Sequence, residues 1–208
     1  MSTDRTRLVV RGIRLNYLTI GYNTVEAVVS LAAGLIAGSV ALVSFGIDSA
    51  IEVTAAGAAR VRLRADKDPV RREHSERWTH RLIGGSFLLL AVYVLADATR
   101  SLWLREPPES SRVGLAILAL SVVVMPLLAR AKRKVAVGLG SGALAADAAQ
   151  TSLCAYLSLI ALAGVGLNAL VGWWWADPLA AIAMLPIIVK EGLAGIRGHS
   201  SCNDSCAN

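Results

Sequence analysis

The stretch Val113-Gly-Leu-Ala-Ile-Leu-Ala-Leu-Ser-Val-Val-Val-Met-Pro-Leu-Leu-Ala-Arg130 carries no charge before its last residue. It is bounded by Arg105-Glu-Pro-Pro-Glu-Ser-Ser-Arg112 on one side and by Ala131-Lys-Arg-Lys134 on the other. Two adjacent prolines among charged residues disfavour a continuing helix, so the first boundary is a break. An uncharged apolar run of this length, closed by a basic cluster, reads as a helix spanning a bilayer, whose hydrocarbon core needs about 20 residues.

The same pattern extends in both directions. The 208 residues are 55% hydrophobic, with a mean hydropathy of +0.55. Charges gather at Asp4 to Arg14, Arg60 to Arg81, Arg130 to Lys134 and Lys190 to His199. Long apolar stretches separate them, giving approximate spans 15–37, 40–60, 82–103, 113–130, 142–165 and 174–195. The expected fold class is an all-α integral membrane protein with six transmembrane helices over residues 15–197. An arm, 1–14, precedes them and a Cys/His-containing tail, 198–208, follows.

Lys and Arg fall in the arm, in the links after the second and fourth spans, and in the tail, whereas the other links hold only Arg105 and Arg112. By the positive-inside rule both termini are expected to be cytoplasmic. The net charge of +6 then answers to anionic lipid headgroups rather than to nucleic acid. No signal-peptide pattern is expected, because residues 1–14 are polar and basic and the following apolar stretch is too long. Trp173, Trp174 and Trp175 sit at a predicted span boundary, where indole rings prefer the interface. Three cysteines, one of them in an apolar segment, argue against a disulfide framework and for a reducing compartment.

Ionisable residues inside a span are costly, so each is a functional candidate. Asp48 and Glu52 stand four apart in Ser44-Phe-Gly-Ile-Asp-Ser-Ala-Ile-Glu52. That spacing puts both carboxylates on one helical face, about 6 Å apart. In a dry interior they repel, and a divalent cation between them removes the repulsion; a protonated pair, or a pair bonded to polar neighbours, is the competing reading. In the fifth span, Asp147, Gln150, Thr151 and Cys154 offer a similar face. Gln150 and Cys154 fit two roles equally well: completing a metal site, or acting as interhelical glue and a small hydrophobe. Asn16, Asn23 and Glu26 give the first span a polar stripe, which suits either a permeation path or pairing with a neighbour. Gly34 and Gly38 form a G-x-x-x-G packing pattern, and Asp97 with Arg100 reads as a structural ion pair. In the tail, His199, Cys202, Asp204 and Cys206 suit zinc or a softer ion, or else a solvated end.

Gly38-Ser-Val-Ala-Leu with Asp48-Ser-Ala-Ile-Glu52, Ala146-Asp-Ala-Ala-Gln150 with Cys154, and Trp174-Trp-Ala-Asp-Pro-Leu-Ala-Ala181 together resemble the cation diffusion facilitator family over nearly the whole chain. The resemblance implies a divalent-metal efflux transporter, commonly a homodimer exchanging metal for protons, in the cell membrane. It implies Asp48, Glu52, Gln150 and Cys154 as ligands of the transport site, with Asp147 on the pathway or supporting it. The implied substrate is a transition metal, zinc first, with cobalt, iron, manganese or cadmium as alternatives. Glu52 stands for the family's usual aspartate, and Gln150 and Cys154 for its usual His and Asp. A neutral amide cannot titrate, so fewer protons are expected to be exchanged. A short form without the family's cytoplasmic domain is expected. The alternative function is a membrane metal-binding sensor, buffer or accessory subunit that does not transport. No His/Glu motif or serine dyad suggests an enzyme.

Overall fold

The structure is a computed structural model that describes residues 2–64, 69–139 and 142–197. The described residues form six helices: α1 (Ser2–Ala37), α2 (Val40–Arg64), α3 (Pro69–Leu104), α4 (Arg112–Leu139), α5 (Gly142–Val171) and α6 (Ala176–Ile196). No strand occurs among the described residues. Six helices thus stand where six spans are expected, and five of them, all but α2, are long and apolar enough among the described residues to cross a membrane.

The helices overrun the expected spans. The charged arm belongs to α1, which runs unbroken from Ser2. α3 begins at Pro69, inside the stretch expected to be a link. α4 continues through the basic cluster as far as Leu139. A helix already formed in lipid can extend its backbone hydrogen bonds into water, so charge ends the hydrophobic span without ending the helix. At about 1.5 Å per residue, the 36 residues of α1 are longer than a hydrocarbon core about 30 Å thick.

α2 is the central element. It packs against α1, α3, α5 and α6, while α4 bridges α1 and α5, and α6 packs on α3 and α5. Val40 to Gly46 are all buried. The outer surface is apolar, with Ile36, Leu89, Val123 and Leu170 exposed, whereas Asn23, Glu26, Asp48, Glu52, Lys132 and Thr151 are buried. Apolar outside and polar inside is the distribution lipid demands.

The two glycines of the G-x-x-x-G pattern do different jobs. A Cβ on Gly34 would lie 2.8 Å from Val43, so Gly34 permits close α1–α2 approach. Gly38 instead takes φ +65, the left-handed conformation that ends α1. α3 and α6 meet through glycines as well. A Cβ on Gly84 would stand 2.6 Å from the Ile196 nitrogen and 2.7 Å from the Gly192 oxygen. Backbone atoms cannot step aside as a flexible side chain can. Gly84→Val is therefore expected to cost about 1–3 kcal/mol, read as a lower midpoint in thermal unfolding of the detergent-purified protein. Gly85→Val, where nothing lies within 4 Å of the Cβ position, is the control.

Candidate metal centre

The start of α2 is held from across the bundle. Asp177 Oδ1 accepts a 2.6 Å hydrogen bond from Ser39 Oγ, and Oδ2 accepts from the Val40 amide at 2.9 Å and, more weakly, the Ala41 amide at 3.5 Å. Ser39 Oγ in turn caps the Leu42 amide at 3.1 Å. Helix starts leave amides without partners, and here Asp177, in the first turn of α6, supplies the acceptors. The Asp-Pro pair at the start of α6 thus fixes α2 lengthwise.

Two and three turns further along α2, Asp48 and Glu52 are 5% and 2% exposed. They line a narrow cavity with Gln150 and Cys154 of α5, Phe87 of α3, and Ile188 and Glu191 of α6. Its volume, about 10 Å³, is room for about one water or one bare ion. All four side chains expected at the transport site therefore face one space. They line it without converging: among the described residues no group of three or more His, Cys, Asp or Glu is arranged to hold a metal.

Glu52 is asymmetric. Its Oε1 accepts from Thr151 Oγ1 at 2.9 Å, while Oε2 is buried with no partner. Thr151 Oγ1 accepts from Lys132 Nζ at 2.9 Å. Lys132 Nζ also lies 2.9 Å from Asp147 Oδ2, an ion pair whose angle falls short of a hydrogen bond. The Thr151 proton has a second acceptor in reach, the Asp147 carbonyl at 3.0 Å. An ionised Glu52 is the stronger acceptor of the two. Asp147 thus reaches the cavity only through Lys132, Thr151 and Glu52.

Behind Cys154, on the α1 side, lies a further buried carboxylate. Glu26 Oε2 accepts from Ser49 Oγ at 2.7 Å, and Oε1 accepts from Ser121 Oγ of α4. Tyr22 Oη donates to the same Ser121 oxygen at 2.8 Å. Cys154 Sγ approaches Glu26 Oε2 at 3.9 Å and interacts electrostatically with Asp48 and Glu52 as well. The first-span stripe is therefore Thr19, Asn23, Glu26 and Ser30, all fully buried, whereas Asn16 is only half-buried. Glu26 pairs with neighbouring helices, and the Asn23 amide is buried with no partner.

Two expectations change. Lys132, counted in the sequence as a loop charge, is 1% exposed and points into the bundle. Asp97 and Arg100 do not pair with each other: Tyr93 Oη donates to Asp97 at 3.0 Å, and Arg100 reaches Glu106 at 3.4 Å. Glu106 follows the end of α3, where the chain turns back with Arg105 at φ 53 and brings the acid within reach. Glu191 was hidden in the sequence by the charges around it. The signal was present in its spacing, since Met184, Ile188 and Glu191 fall on one face and the first two are buried. His199, Cys202, Asp204 and Cys206 lie outside the described residues.

A family model described as the cation efflux transmembrane domain matches residues 17–198. No curated protein matches the chain. Removing the Asp177 acceptors is expected to loosen the α2–α6 junction. Asp177→Ala should cost about 1–2 kcal/mol, typical of a lost helix cap, measured by thermal unfolding in detergent.

Proposed function

Since the chain belongs to the cation efflux family and is a multi-pass membrane protein that transports cations, we propose that it exports a divalent transition-metal ion through the cavity between α2 and α5. The observation that supports this most is the shared, buried cavity of Asp48, Glu52, Gln150 and Cys154. Two carboxylates one turn apart in a medium of low dielectric need positive charge, and a divalent ion supplies it compactly. Glu52 Oε2, buried with no partner, is an available donor atom. Small rotations of Asp48 and Glu52 toward Cys154 and the Gln150 carbonyl oxygen bring the donors together around an ion. Thiolate in the set favours zinc, cobalt or cadmium, while carboxylate and amide accommodate manganese or iron.

In this reading both termini lie in the cytoplasm, following the positive-inside rule, and the ends of α2 and α4, with their basic residues, face inward. Metal enters from that side past Glu191, whose charge at the half-exposed end of the cavity attracts cations. Rocking of the bundle then exposes the site outward, and protons from outside displace the metal, because both compete for the same lone pairs. The protein works as a homodimer and an antiporter in this reading, with Asp48 and Glu52 as proton acceptors and Gln150 unable to be one.

The test is a metal-panel flux assay on purified protein in proteoliposomes. Asp48→Ala should reduce flux to background in every metal that the wild type carries. Metal binding without flux in the wild type would make the protein a sensor, buffer or accessory subunit instead. Binding should strengthen as pH rises, because deprotonation frees carboxylate oxygens for the ion, and should weaken as pH falls. Isothermal titration across pH 5.5–8, approximately the range in which exchange is sought, checks the sign. Glu191→Gln should raise the KM for metal several-fold while leaving maximal flux within about twofold, as expected of a charge that raises the local cation concentration.

A further inference from the structure

Among the described residues, Lys132 is the buried side chain that an ion-carrying cavity does not call for. A cation beside a cation site repels the cargo, yet Lys132 is 1% exposed. It sits 2.9 Å from Asp147 Oδ2 and is linked through the Thr151 hydroxyl to Glu52, with 2.9 Å contacts on each side. Its charge acts directly on the Glu52 carboxylate. A buried ammonium is costly, and a fold strut between α4 and α5 is available from apolar packing at no such cost.

We propose that Lys132 is a resident counter-cation that lowers the affinity of the acidic cavity for its metal, so that the ion can leave. The inference rests on the reading of that cavity as the transport site. Acidic groups surround the ion's position from several helices: Asp48 and Glu52 on α2, Glu26 on α1 and Glu191 on α6. Such a site binds cations tightly unless something opposes it. A transporter needs binding strong enough to load and weak enough to release. Lys132 supplies the opposition as a fixed positive charge held one hydroxyl away from the ligand Glu52. Asp147 holds the ammonium in place and partly offsets it, so Asp147 and Lys132 act on the cargo with opposite signs. Thr151 fixes Glu52 Oε1 and leaves Oε2 for the ion. Lys132 is a positioning and tuning residue; it does not touch the metal.

The test compares wild type, Lys132→Gln, Lys132→Arg, Asp147→Asn and the double variant Lys132→Gln/Asp147→Asn. Binding of Zn²⁺, Mn²⁺ and Cd²⁺ is measured by titration calorimetry, and flux in proteoliposomes. Lys132→Gln should bind metal roughly tenfold tighter and turn over more slowly, with KM and maximal flux falling together, because a unit charge a few ångströms from a divalent ion is worth at least that factor. Asp147→Asn should bind roughly tenfold weaker, since it leaves the ammonium less opposed. The double variant should bind tighter than Asp147→Asn, and Lys132→Arg should resemble wild type. A strut role would instead loosen the site in both single variants. Weaker or unchanged binding in Lys132→Gln therefore overturns the inference. Should Lys132→Gln fail to fold, the double variant decides, since it buries no lone charge; binding no tighter than Asp147→Asn overturns the inference. A wild type that binds none of these three metals, nor Co²⁺ or Fe²⁺, overturns the transport-site reading, and this inference with it, whereas failure of the variants alone leaves that reading standing.

Discussion

The arrangement depends on one constraint: carboxylates on α2 are held where no bulk water reaches them. Asp48 and Glu52 sit on the helix that packs against four others. In a medium of low dielectric each negative charge must be neutralised, hydrogen-bonded or accompanied by a cation. The polar groups of the interior can be understood as answers to that demand. Thr151 meets one oxygen of Glu52, Ser49 and Ser121 meet Glu26, and Lys132 supplies positive charge within the network.

The demand also explains why the frame around the site is tight. The proposed transport site would tolerate displacements of only a fraction of an ångström, so it needs an α2 that does not slide. Asp177 fixes its start from α6, and Gly34 lets α1 lie close along its side. The α3–α6 pair uses Gly84 and Gly192 in the same way. Small residues bring backbones together in lipid, where no hydrophobic force drives helices against one another. Rigid pairs of this kind are also what a rocking motion needs, because they move as units.

Much of this was legible in the sequence. The six helices follow from apolar runs and their breakers, and Asp48 with Glu52 from a four-residue spacing inside such a run. Gln150 and Cys154 share that four-residue spacing but fit a metal site no better than interhelical glue until the family likeness is added, and the structure brings all four to one cavity. The likeness of Trp174-Trp-Ala-Asp-Pro-Leu-Ala-Ala181 to a family pattern gave no hint that Asp177 caps a helix 137 residues earlier in the chain. Lys132 reads as a link charge, and Glu191 draws no notice, because both stand among other charges at span ends, where sequence context predicts solvent.

Sequence alone determined the class of protein, the number of helices and the acidic pair, because burial in lipid writes itself into local composition and helical period. The partners of those acids were decided by tertiary structure. Which way Lys132 points, which helix Asp177 caps and which acid shares the cavity depend on the rotation and depth of one helix against another. Those are set by packing among residues far apart in the chain, and no local pattern encodes them.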